Sequence, residues 1–201
     1  MKKTSDGGFI LVGSSKVPGF STNRLALTQC DINGQLDATF GTAGTTVFQN
    51  VAANSCTGQS AVIGNNQDIF ICGDAYINNI YYPLLAKVSS SGIPYTTFGS
   101  NGVLIPMSFN ARFFDIEYDG SKLIMAGQNN VGPWDFLLQA RNTTDGGLVT
   151  TFGTAGSSIV DVVQADTYYE LLIHPDGSLL ACGTTGTAGI GAARDFIISK
   201  Y

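Results

Sequence analysis

The residues that stand out for chemistry are aromatic. Phe20, Tyr76, Tyr81 and Trp134 sit in segments that vary in length and sequence while the chain around them repeats. Amphipathic rings in such segments suit stacking on sugars or peptides. Reactive groups in catalytic arrangements are scarce. His174 is the single histidine and stands in His-Pro-Asp-Gly, the entry to a turn. A Ser-His-Asp triad would have to use it, and there is no Gly-x-Ser-x-Gly elbow. Asp115 and Glu117 share one strand face at a spacing of two, the one pair to weigh for acid–base work, and they read as a solvated face. Cys30, Cys56, Cys72 and Cys182 form no CxxC. Cys72 and Cys182 fall where other copies of a repeat carry Val12 and Ala126, as buried free thiols would. No metal site and no cofactor are expected.

Weaker motifs favour ordinary structure. Gly189-Ile190-Gly191 imitates a phosphate loop, but strands flank it, and a phosphate loop needs a helix behind it. Asp31-x-Asn33-Gly34-x-x-Asp37 resembles half a calcium loop without the terminal glutamate, which suits a side-chain-bonded turn. Gln29, Lys87, Arg141 and Lys200 close the second strand of successive units. They read as contacts between units rather than as an anion-attracting ring.

Composition bounds the fold. Of 201 residues, 25 are glycine and only 12% are charged, with glutamate at two positions alone, Glu117 and Glu170. Residues that cover exposed helix faces are nearly missing, so a mostly helical protein is excluded. The 44% hydrophobic share is enough for a core. A net charge of −5 argues against nucleic acid or an anionic membrane surface as partner. No apolar run reaches the ~20 residues of a spanning helix, so membrane insertion is not expected. Met1-Lys2-Lys3 opens like a signal peptide, but the apolar stretch behind it, Phe9 to Val12, is too short and recurs later as a strand.

Self-similarity is the main signal. Phe-Gly-x-x-Gly begins at Phe40, Phe98 and Phe152. An apolar run ending in glycine occurs four times, ending at Gly13, Gly73, Gly127 and Gly183. Asp-Gly pairs at Asp6, Asp119 and Asp176 lead into three of those runs and suit tight turns. Four strands per period of roughly 56 residues is the arithmetic of a propeller blade. The fold expected is all-β, a β-propeller of four-stranded blades in a single repeat domain over 1–201. The units run over about 6–64, 65–118, 119–175 and a half unit 176–201. Fourteen strands make about three and a half blades, a partial or assembled ring, so the unfinished edges invite a homo-oligomer.

The stretch Gly34-Gln35-Leu36-Asp37-Ala38-Thr39-Phe40-Gly41-Thr42-Ala43-Gly44 resembles the signature of the delta-60 repeat of bacterial β-propeller proteins. The copy at Gly92 carries Pro94-Tyr95, and the copy at Gly146 has Val149 where aspartate is usual. The resemblance implies a bacterial protein that is extracellular or at the cell surface, and it says little about activity. The function expected is a non-enzymatic binding or scaffolding module for a carbohydrate or protein ligand. The alternative is a hydrolase or lyase acting at a central channel. The binding face of the non-enzymatic module would be the loops after each apolar run: 14–23, 74–81, 128–134 and 184–193.

Overall fold

The computed structural model describes residues 1–16, 22–49, 51–108, 110–129, 134–162, 165–186 and 194–201. Those residues form fifteen strands in four antiparallel sheets, with no helix. The first sheet contains β1 (Lys2–Lys3), β2 (Phe9–Lys16), β3 (Asn23–Cys30) and β4 (Thr45–Val47). The second contains β5 (Ser55–Ile63), β6 (Ile69–Ile77), β7 (Ile80–Val88) and β8 (Val103–Leu104). The third contains β9 (Ala111–Tyr118), β10 (Lys122–Asn129), β11 (Asp135–Asn142) and β12 (Ser157–Val160). The fourth has three strands, β13 (Thr167–Ile173), β14 (Leu179–Gly186) and β15 (Arg194–Lys200).

Strands pair in chain order within every sheet. The second, third and fourth sheets take their first strand from the end of the preceding sequence unit, so the sheets cut the period at a different phase from the units 6–64, 65–118, 119–175 and 176–201. The count of fourteen strands is corrected to fifteen. The added strand is β1, where Lys3 pairs with Phe9 and Lys2 with Ile10. A two-residue lysine strand has no hydrophobic period by which a sequence could reveal it.

Three apolar cores lie between consecutive sheets. Ile10, Leu25 and Leu27 of the first sheet pack on Ile71, Leu84 and Ala86 of the second. Phe70 and Leu85 pack on Phe113 and Met125 of the third. Phe136 and Leu138 pack on Tyr168 and Leu171 of the fourth, and the Phe136 and Tyr168 rings stack at 4.2 Å. The second and third sheets therefore each have an apolar core on both faces. That explains why the runs Ile69–Cys72 and Leu123–Ala126 are continuously hydrophobic rather than alternating.

Phe40 and Phe98 of the repeated motif are fully buried, but Phe152 is only partly buried. The three motif phenylalanines are therefore not equivalent in burial. All four cysteines are free; Cys56 and Cys72 are buried, whereas Cys30 and Cys182 are partly exposed. Among the described residues no helix is long and apolar enough to cross a membrane.

Candidate functional site

The glycine that ends each apolar run shapes the site. In the second, third and fourth sheets the first strand carries a β-bulge, leaving Gln59, Phe114 and Tyr169 without a cross-strand partner. A Cβ on the facing glycine would collide with the carbonyl oxygen of the bulged strand. The separation would be 2.0 Å for Gly73 and Thr57, and 1.9 Å for Gly127 with Arg112 and for Gly183 with Thr167. Only glycine admits the bulge, and the bulge re-aims the residues around it.

Two of the re-aimed residues, Phe114 and Tyr169, join a continuous strip with Arg112. Tyr76 and Tyr81 face each other across the β6–β7 hairpin, with ring centroids 4.8 Å apart. The hairpin turns on Asn78 and Asn79, both at positive φ, which suits a two-residue turn. The Arg112 guanidinium lies 4.3 Å from the Tyr81 ring centre and 5.3 Å from that of Phe114. Phe114 in turn lies 5.4 Å from Tyr169. Asp74 is buried and fixes the arginine. Its Oδ2 accepts from Arg112 Nη2 at 3.2 Å and from Gln59 Nε2 at 3.1 Å. The strip spans three sheets, with Tyr81 and Tyr169 exposed to solvent.

Beside the strip is a polar cleft of about 280 Å³ where the first strands of all four sheets converge. Its charged lining is Lys2, Asp115, Glu117 and Glu170. Lys2 Nζ on β1 reaches Glu117 Oε1 on β9 at 3.3 Å, joining the first sheet to the third. The buried Asp115 accepts the Leu171 N–H at 2.8 Å, tying the third sheet to the fourth. Asp115 and Glu117 are therefore part of a cleft between sheets, not the solvated face expected from sequence. Burial, reinforced by the Asp115 charge, pushes the Glu170 carboxyl above its ordinary value, and the chain's terminal ammonium opposes the shift.

The four aromatic candidates fare differently. Tyr76 and Tyr81 come together, but on strands rather than in a long loop, since β6 and β7 run on to the Asn78–Asn79 turn. Trp134 is exposed and makes no ring contact with the strip; its carbonyl accepts the Asp166 N–H at 2.7 Å. Phe20 lies outside the described residues, as do Gly189 and Gly191. Arg112, Phe114, Tyr169 and Gln59 are not evident from strand alternation, because a bulge breaks it, and Asp74, expected in the loop 74–81, lies on β6. The signal that could have found them is the glycine ending each run, which points across the sheet to the bulge.

The remaining candidates make the following local contacts. His174 is exposed and paired with Asp176 at 2.9 Å in its turn. Asp31 Oδ1 accepts the N–H groups of Asn33 and Gln35, both at 2.8 Å, closing the turn that imitates a calcium loop. Lys87 pairs with Asp68 at 3.1 Å and donates to the Thr143 carbonyl of the next sheet at 3.2 Å. Arg141 donates to the Gly146 carbonyl at 2.7 Å, and its burial lowers its pKa to about 10. Among the described residues no group of three or more His, Cys, Asp or Glu is placed to hold a metal ion. Comparison of the chain with protein-family models and with curated proteins finds no match.

Proposed function

We propose that this chain is a β-propeller repeat module of the delta-60 kind that binds carbohydrate without turning it over, outside the cytoplasm or at the cell surface. The fold part of this reading is supported by four successive antiparallel sheets whose first strands converge on one cleft. The observation that carries the binding part is the strip Tyr76–Tyr81–Arg112–Phe114–Tyr169. Partly exposed rings offer flat apolar faces for the C–H side of a sugar. Carboxylates and amides along the adjoining cleft offer acceptors and donors for its hydroxyls. Such sites are concave, with a few polar groups fixing orientation. A protein ligand is the competing occupant.

Glycan-array screening tests the reading, followed by calorimetric titration of the best-retained oligosaccharide. Tyr81→Ala removes an exposed ring and leaves the cores intact, so it should weaken binding at least tenfold without lowering the melting temperature. An array with no retained glycan counts against carbohydrate. One observation favours a second reading, a hydrolase or lyase at the cleft: Glu170, with its raised pKa, stands in one cleft with Glu117. Release of product from the retained oligosaccharide, lost in Glu170→Gln, would support it.

A further inference from the structure

Each sheet meets the next through one repeated interface. In the second sheet, Val62, Phe70, Cys72 and Leu85 form the face that the third sheet covers, and none is more than 3% exposed. The repeat puts Leu172, Leu180, Cys182 and Ile198 at the matching positions of the fourth sheet, through the pairings Leu172–Leu180 and Cys182–Ile198. That face is open. Leu172 is 56% exposed, Ile198 65%, and Phe196, next along β15 on the same face, 70%.

The opposite end of the molecule is open in a complementary way. Ile71 on the receiving face of the second sheet is fully covered, whereas Leu11, its counterpart in the first sheet, is 37% exposed. The motif phenylalanines show the same register. The Phe40 ring caps Gly92, where an added Cβ would lie 2.7 Å away, and the Phe98 ring caps Gly146 at 2.9 Å. Gly34 begins this series and has nothing within 4 Å of its Cβ position. Phe152 ends it, and no described glycine lies beneath its ring in the same way.

We infer that the fourth sheet of one copy docks on the first sheet of a second copy, head to tail, seating Phe152 on Gly34. The two open faces are the two halves of an interface that this chain already builds three times within itself. Exposed apolar faces of this kind mark association surfaces. The contact is heterologous, because it joins two different surfaces. Closure of two copies on each other would cover both open faces of each. The inference does not depend on the ligand-binding reading.

Sedimentation velocity of the full chain tests it. The expected mass is at least twice the 21.1 kDa of one chain. Leu11→Asp disables the receiving face and Ile198→Asp the docking face, and either variant alone should sediment as a monomer with an unchanged far-UV spectrum. An equimolar mixture of the two variants should regain the dimer, since one intact contact remains between them. A monomeric wild-type chain, a single variant that still assembles, or a mixture that stays monomeric would each overturn the proposal.

Discussion

The carbonyl oxygen of Arg112 lies 1.9 Å from the point where a Cβ on Gly127 would stand. That proximity links a sequence marker to the site. The glycine lets β9 bulge, and the bulge leaves Phe114 unpaired beside the Arg112 guanidinium. Gly127→Ala should therefore push backbone aside and cost about 1–3 kcal/mol or more. Gly13 holds the same repeat position with nothing within 4 Å, so Gly13→Ala should change stability by less than about 0.5 kcal/mol. Urea unfolding of the two variants checks this, and equal losses would contradict the role given to the bulge.

The motif phenylalanines should differ in their contribution to stability. Phe98 is fully buried over Gly146, and Phe98→Ala should cost about 3–5 kcal/mol. Phe152 is only partly buried, so Phe152→Ala should cost less than half as much when measured at protein concentrations too low for assembly. Similar losses at both positions would show that Phe152 is covered in the isolated chain.

Acid should act through Asp119. Burial opposes its ionisation, but the Lys122 ammonium and N–H, with the Ser121 hydroxyl and N–H, outweigh it and hold the pKa at about 2 against an ordinary 3.8. A folded pKa below the unfolded one gives stability that is present above about pH 4 and lost as the pH falls towards 2. Asp119→Asn should flatten that limb of a melting-temperature profile. Glu170 has the opposite sign. Its folded pKa is raised, so its contribution is present below its ordinary 4.5 and lost as the pH rises through the folded value. Glu170→Gln should accordingly raise the melting temperature at neutral pH and leave it unchanged in acid.

Thiol labelling should separate the four cysteines. Burial pushes Cys56 up to about 11 and Cys72 well above 9.0, and thiolate is the reactive form. At protein concentrations too low for assembly, a disulfide reagent near neutral pH should modify Cys30 and Cys182 first, read by mass spectrometry. Cys56 and Cys72 should react only on unfolding. Rapid modification of all four would contradict the packing of the first two cores.

The strands and their period were legible in the sequence because two markers, Phe-Gly-x-x-Gly and the glycine-terminated run, recur in step. The phase of the sheets was not, since Lys2–Lys3 pairs through backbone alone and its residue types suggest a targeting segment. Tyr76 and Tyr81 were legible as aromatics, yet their place on strands depends on the tight turn at Asn78 and Asn79, both at positive φ. Arg112, Phe114 and Tyr169 stayed hidden because strict alternation assigns them without the bulge. Trp134 shows the converse: an exposed ring in a variable segment that stands apart from the strip.

Binding at the strip is the central claim, and aromatic-region NMR with the array-selected oligosaccharide tests it most directly. On titration, the ring resonances of Tyr76, Tyr81, Phe114 and Tyr169 should shift together with one dissociation constant, while the Trp134 indole stays in place. Shifts confined to Trp134 or to Phe196 on β15, with the four strip rings unmoved, would contradict it.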